Sequence, residues 1–464
     1  MTIAGFLLWK QTNCNAAFLN ESTDGDYYMR LKFLAVLLTP VLLAALSRVA
    51  HAEVLTLVQG LKLATTNSRL IKIAGREEDM AREDALISRA KLLPEVNASA
   101  SLTSFARQPG AVFGSLSVPT SERGYPAYTM SVEQTLYDFQ KNASRYKASM
   151  LGVDIRKIDT RRIRNIVGLS FAVAYFDLLE SNRMVDVAER EVERVESHLK
   201  DTKNLYEQGV VTKNDVLQAE VRLADSRQRL LAAKNLSALN ASQINNFLLR
   251  PLNSPVQPEE VDPLLLESRA VFDLGKAWDV AMEARPELQI VDTTLKAQDF
   301  EEKAQKADYL PKFFVKGEYD YMDNRYLLHE ANAFVLFGMS INLYKGGSTK
   351  AEVAKIEYGK ERLREQRNQL VDEIKLEVKK YILDSETAKQ RVAATKDAVN
   401  QAEENLRIDR VKYTEGVGTA TDVLDAVTLL TVAETNYYRS LYDLMRAEAG
   451  ILYATGRDIA EVYQ

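Results

Sequence analysis

Apolar and polar residues follow two different periods along this chain, and the switches between them come in matching pairs. Residues 55–93 carry Leu57, Leu61 and Ala64, then Ala81, Ala85 and Ala90, at helical spacing. The run stops at Leu93-Pro94, since the residue before a proline is pushed out of the helical region. Leu310-Pro311 ends a matching helical run that starts near Arg285. After each Leu-Pro the period becomes two. Val96, Ala98, Ala100 and Leu102 alternate with Asn97, Ser99, Ser101 and Thr103, and Tyr128, Met130 and Val132 with Thr129, Ser131 and Glu133. In the second half Phe313, Val315, Tyr319 and Tyr321 alternate with Lys312, Lys316, Glu318 and Asp320. Val335, Phe337, Met339, Ile341 and Leu343 alternate with Gly338, Ser340 and Asn342.

The pattern predicts four strands, near residues 94–106, 126–138, 311–322 and 333–344. Strands of this length with one apolar and one polar face suit a membrane barrel. A soluble sheet with one wet face gives the same alternation. Single-chain barrels need about eight strands. Either the sheet is soluble, or several chains share one barrel.

Each strand pair is followed by a long proline-free helical stretch, residues 142–206 and 349–413. Return helices then carry heptad seams of small and medium residues: Val216, Ala219, Leu223, Ser226, Leu230 and Ala233 in the first, Val423, Ala426, Leu430, Ala433, Tyr437, Ser440 and Leu444 in the second. The turns between outgoing and return helices are near-copies. With Gly209 set against Gly416, the residues Tyr206, Val210, Thr212, Asp215, Val216, Leu217, Ala219 and Leu223 each meet their own kind. Such self-similarity marks a duplicated unit.

Each copy reads as a helix end followed at once by a helix start. Gly209 and Gly416 supply the left-handed backbone of a C-terminal cap. Thr212 and Thr419 can cap the next helix, with Asp215 and Asp422 three residues on. The predicted class is therefore mainly α, with long antiparallel coiled-coil hairpins, four β-strands and an internal two-fold repeat. The units span residues 53–250, with a tip near 206–215, and 283–456, with a tip near 413–422. A proline-rich linker at 251–282 separates them, with a short helix expected over 264–282, and 457–464 forms a tail.

Composition narrows the address. Residues 29–52 read as a signal peptide: Arg30 and Lys32 at the start, an apolar core from Phe33 to Leu46, and Ala50-His51-Ala52 as a cleavage site. Residues 1–28 look like an extension upstream of the true start at Met29. Cleavage near Ala52 would remove Cys14, the only cysteine, leaving an exported chain without disulfides or thiolate metal sites. A formal charge of −5 argues against nucleic acid as partner.

No enzyme constellation stands out. His198 and His329 are the histidines beyond the signal peptide, and neither has a metal-ligand partner at helical spacing. No phosphate-binding glycine loop occurs, and no cofactor is expected. The charged feature with a candidate role is Asp422 with Asp425, three apart on one helix face just inside the second tip. Position 425 corresponds to Gln218 in the first copy, so the tips are not equivalent. In a symmetric assembly the pair becomes a ring of acids that attracts cations at a constriction. First-turn acids at a helix start are the plainer alternative.

The Leu-Pro before each strand pair, Leu343-Tyr344-Lys345-Gly346-Gly347, and above all the stretch 413–426 with its echo at 209–219 resemble the TolC family of outer-membrane efflux and secretion channels. The resemblance implies a homotrimer in which three chains share a 12-stranded barrel in outer-membrane lipid and an α-helical tunnel through the periplasm. It implies a periplasmic adaptor of an inner-membrane pump at the tips, with Gly209, Val210, Thr212, Gly416, Val417 and Thr419 at the contact. Asp422 and Asp425 match an acidic ring at the periplasmic entrance, and Asp215 and Tyr413 match members of a polar lock. Gly418 stands where that lock has an arginine. The expected function is an exit duct for efflux or type I secretion, with no catalysis. A periplasmic coiled-coil adaptor or scaffold is the alternative, though adaptors carry one hairpin and a lipoyl-like domain.

Overall fold

The computed structural model describes residues 54–261 and 273–463. The signal peptide, Cys14, the upstream extension and the start of the expected helix over 264–282 lie outside them. The first repeat holds β1 (Val54–Leu55), α1 (Leu57–Asn67), α2 (Arg69–Ala90), β2 (Glu95–Ser104), β3 (Gly110–Phe113), β4 (Leu116–Pro119), β5 (Gly124–Tyr137), α3 (Lys141–Glu207) and α4 (Lys213–Phe247). After β6 (Gln257–Pro258) come α5 (Leu274–Ala284), α6 (Pro286–Lys306), β7 (Lys312–Met322), β8 (Ala331–Ser340), α7 (Ser348–Thr414), α8 (Ala420–Ala454) and α9 (Ile459–Val462). The outgoing helices α3 and α7 have 67 residues each and the return helices α4 and α8 have 35 each. Every boundary of the second hairpin is that of the first displaced by the interval from Gly209 to Gly416. At 1.5 Å per residue, α3 and α7 are about 100 Å long.

β2, β5, β7 and β8 form one antiparallel sheet in the order β2-β5-β7-β8. The register stacks the predicted apolar positions across all four strands: Val96 opposite Val132, Met130 opposite Tyr319, Val315 opposite Phe337 and Phe313 opposite Met339. Glu95, Ser99, Ser131, Glu318 and Asp320 fall on the other face. Val96, Met130, Tyr319, Val335, Phe337 and Met339 are exposed, so none of the described residues covers the apolar side. Phe314, Phe334 and Leu336 are apolar exceptions on the polar face. The ring of Phe314 lies over Gly338, where an added Cβ would come within 2.4 Å of it.

The structure corrects two expectations and adds one hairpin. The helix predicted over 55–93 is two helices, because Ser68 adopts an extended backbone (ψ 139°) and caps α2 by accepting from the Leu70 amide. The last strand ends at Ser340, so Ile341 and Leu343 do not extend the ladder. Its partner β7 starts at Lys312, and Pro311 before it has no N–H to offer. The hairpin β3–β4, unforeseen in the sequence, fills a loop between β2 and β5 that is longer than the one between β7 and β8.

Helices form four-membered layers on either side of a central belt. On the strand side of the belt α3 packs against α2 and α6, and α6 against α7; on the tip side the order is α4, α3, α8, α7. The belt core joins α1 to the middle of α3 and the ends of α4 and α8 through Leu61, Phe171, Phe176, Leu179, Ile244, Met445 and Leu452. The Tyr175 hydroxyl lies 2.7 Å and 2.8 Å from the carbonyls of Leu55 and Glu259, tying β1 and the residue that follows β6 to α3.

Candidate functional site: the paired hairpin tips

The two tips are built alike. Gly209 and Gly416 take φ of 77° and 74°, conformations that L side chains adopt at a cost. The amides of Val210 and Val417 reach back to the carbonyls of Leu205 and Lys412, both at 2.9 Å, closing α3 and α7. Thr212 and Thr419 then open α4 and α8 with full capping boxes. The Asp215 carboxylate accepts from the Thr212 amide at 2.9 Å, and Asp422 from the Thr419 amide at 2.9 Å. The Thr419 backbone donor holds the Asp422 carboxyl below the ordinary aspartate range.

Asp422 and Asp425 both lie on the exposed side of α8. Asp425 lines a groove of about 670 Å³ between α4 and α8, with Leu217, Val221, Arg222, Leu424 and Thr428. At the outermost points Val210 and Val417 are exposed, Val417 at 78%.

Asp215 and Tyr413 are not hydrogen-bonded to each other. Tyr413 is buried and donates its hydroxyl to Thr202 Oγ1 at 3.0 Å, and Thr202 in turn donates to the His198 carbonyl at 2.8 Å. The His198 ring packs on Tyr413 with centroids 5.0 Å apart, and its Nε2 has no partner. Burial pushes the His198 imidazole down to about 4, with Arg410 acting in the same direction and Asp201 and Asp215 opposing.

Gly418 differs from its counterpart Val211 for a steric reason. Its amide donates to the Lys412 carbonyl at 3.0 Å, so the second loop lies close on the end of α7. A Cβ there would sit 3.0–3.2 Å from Lys412 and the Tyr413 nitrogen. The sequence reading missed the charged contacts above the tips, which join residues far apart in the chain. Arg194 makes a bidentate pair with Glu434 at 2.9 and 3.0 Å. Buried Glu191 receives Arg229 at 2.6 and 3.3 Å. Arg222 of α4 donates to Thr428 of α8. Among the described residues no cluster of His, Cys, Asp and Glu could hold a metal, and no helix is long and apolar enough to cross a membrane.

The family model described as "Outer membrane efflux protein" matches residues 60–248 and 278–457. The chain is 22% identical over 421 residues to the alkaline protease secretion protein AprF of Pseudomonas aeruginosa, covering 87% of this chain and 85% of that one. It is 22% identical over 448 residues to the outer membrane protein TolC of Salmonella enteritidis, covering 92% and 87%. Among solved structures, CusC superimposes with a TM-score of 0.76 at 15% identity, covering 86% of this chain and 92% of that one. The outer membrane protein VceC of Vibrio cholerae does so at 0.74 and 17%, covering 86% and 96%. Both share its fold.

Proposed function

The chain belongs to the outer membrane efflux protein family, and from that premise we propose that it is a homotrimeric outer-membrane exit duct for an efflux or type I secretion system. The observation that carries the reading is the four-stranded sheet. Its apolar face is uncovered, and its edge strands β2 and β8 have one strand partner each among the described residues. Open edges do not persist in a bilayer, so the sheet must close with copies of itself. Three chains give twelve strands around a polar interior, with the apolar face toward lipid.

The helical layers support the same closure. Their outer members expose apolar rows: Ile73, Met80 and Ile87 on α2, Val221 and Leu231 on α4, and Leu376, Leu383 and Val411 on α7. Heptad-spaced rows at both edges of a layer suit side-by-side packing of copies into a tube. The exposed Val210 and Val417 offer an apolar contact for a periplasmic adaptor of an inner-membrane pump. Asp422 and Asp425, repeated around the axis, make an acidic ring at the periplasmic entrance. The chain supplies a path rather than a reaction, and its relatives are named both for alkaline protease secretion and for efflux.

Planar-bilayer recordings of the purified protein test this. The expected result is a small cation-selective conductance that loses its selectivity in Asp422→Ala/Asp425→Ala. An unchanged selectivity would return both acids to helix capping, and absence of any pore would overturn the duct.

A further inference from the structure

The polar face of the four-stranded sheet is not uniformly polar. β2 and β5 bring short hydrophilic side chains to it, with Asn97 and Ser99 paired to Ser131 and Thr129. β7 and β8 interrupt that pattern with Phe314, Phe334 and Leu336. The duplication makes the departure plain. Counted from the two Leu-Pro breaks, Phe314, Glu318 and Asp320 stand where the first repeat has Asn97, Ser101 and Thr103. Counted from the starts of α3 and α7, Phe334 and Leu336 stand where it has Ala127 and Thr129.

In the duct reading this face lines the water-filled interior of the barrel, where an apolar side chain gains nothing from lipid. Phe314 is already in use, with its ring over Gly338 and the Lys312 ammonium 5.5 Å from the ring centre. Phe334 and Leu336 are 41% and 46% exposed. They lie on the edge strand β8, and in a closed ring of copies the next strand is the β2 edge of a neighbour. Asn97, Ser99 and Ser101 on that edge are too short to cover them.

Acids stand beside the pair. The register sets Glu318 directly opposite Phe334, and Asp320 one step farther along, opposite Asn332. Lys316 of the same strand neutralises Glu318. Asp320 makes no ion pair among the described residues and accepts from Thr129 Oγ1 at 2.7 Å. Diagonal neighbours on a sheet face are about 7–8 Å apart, so one small molecule can touch Phe334 and Asp320 together. An aromatic face attracts a cation, the carboxylate attracts it by charge, and Leu336 takes up apolar surface. A small inorganic cation would use the carboxylate alone, and an anion would be repelled.

We propose that Phe334, Leu336 and Asp320 form a binding site for lipophilic organic cations on the inner wall of the barrel. The site rests on the duct reading and gives the duct an affinity of its own for one class of cargo.

Tetraphenylphosphonium is the probe, with tetramethylammonium as the cation that lacks apolar surface. Equilibrium dialysis of the detergent-held protein reads binding without conduction, and comparison of variants with wild type removes the share held by micelles. Tetraphenylphosphonium should bind and tetramethylammonium should not. Phe334→Ala/Leu336→Thr, which installs the residues of the first repeat, should weaken binding about fivefold, the factor carried by one cation–ring contact. Asp320→Asn should weaken it at low salt and less at about 1 M, where an exposed charge is screened. Asp422→Ala/Asp425→Ala should leave it unchanged. Equal affinity in wild type and both barrel variants would overturn the proposal, as would binding lost only in the Asp422/Asp425 variant. So would a lower melting temperature of the assembly in Phe334→Ala/Leu336→Thr with binding unchanged, which would make the pair a seam between copies. A wild type that forms no pore in bilayers would sink the duct reading, while dialysis would still decide the site.

Discussion

The hairpins α3–α4 and α7–α8 have the same lengths, the same glycine turn and the same capping box, yet their return helices live in different surroundings. α8 lies between α3 and α7 and buries Val423, Val427, Leu430, Ala433, Tyr442 and Leu444. α4 lies at the edge of the layer, buries little beyond Ala219, Leu223 and Ser226 on its tip half, and leaves Val221 71% and Leu231 62% exposed. A duplicated sequence can therefore share its backbone plan and still divide the work. One copy completes the chain's own core, and the other leaves an apolar face exposed.

The sharpest way to break this comparison is to charge the exposed face. Val221→Glu/Leu231→Glu should abolish assembly while circular dichroism keeps the helical content of the single chain. If the assembly survived intact, the α4 row would not be a contact between copies. A loss of helix would instead show that α4 depends on these residues for its own folding.

A smaller but still large effect is expected at the Arg194–Glu434 pair. Glu434→Ala strands two arginines, Arg194 and Arg190, on a carboxylate that is no longer there. Chemical denaturation should show a loss of about 3 kcal/mol, typical of breaking a buried pair. The aligned change in the first repeat, Arg227→Ala, removes an exposed pair with Glu196 and should cost under about 1 kcal/mol.

His198 gives the comparison a pH axis. Its folded pKa of about 4 lies below the ordinary 6.5, so between these values the unfolded chain binds more protons than the folded one. Stability is then fully present above pH 6.5 and falls as the pH drops toward 4, by up to about 3 kcal/mol. His198→Phe should flatten this part of the stability curve, as read by denaturation at pH 7 and pH 4.5. An identical slope in wild type and variant would contradict it. Small effects belong to the caps. Thr212→Ala and Thr419→Ala should each cost about 1 kcal/mol and speed amide exchange in the first turn of α4 or α8.

Much of this architecture is readable in the residues themselves. Leu-Pro breaks, period-two runs and the Gly209/Gly416 echo locate strands and tips, because each is a local rule of backbone or burial. The break at Ser68 was hidden inside a continuous apolar pattern, and the β3–β4 hairpin inside a loop without clear alternation. At the site, the Thr-Asp capping boxes are local and legible. The Tyr413–Thr202, Arg222–Thr428 and Arg194–Glu434 contacts are not, since their partners come from different repeats and meet only once the hairpins are packed. Periodicity shows that a helix has a buried face, but it does not say which arginine on the rim finds which acceptor.

The claim on which the rest depends is that this sheet and these helix edges are completed by copies of the same chain. Native mass spectrometry of the detergent-extracted protein tests it directly. Three copies per particle are predicted, with single chains from Val221→Glu/Leu231→Glu. A folded wild-type particle containing one chain would contradict the account.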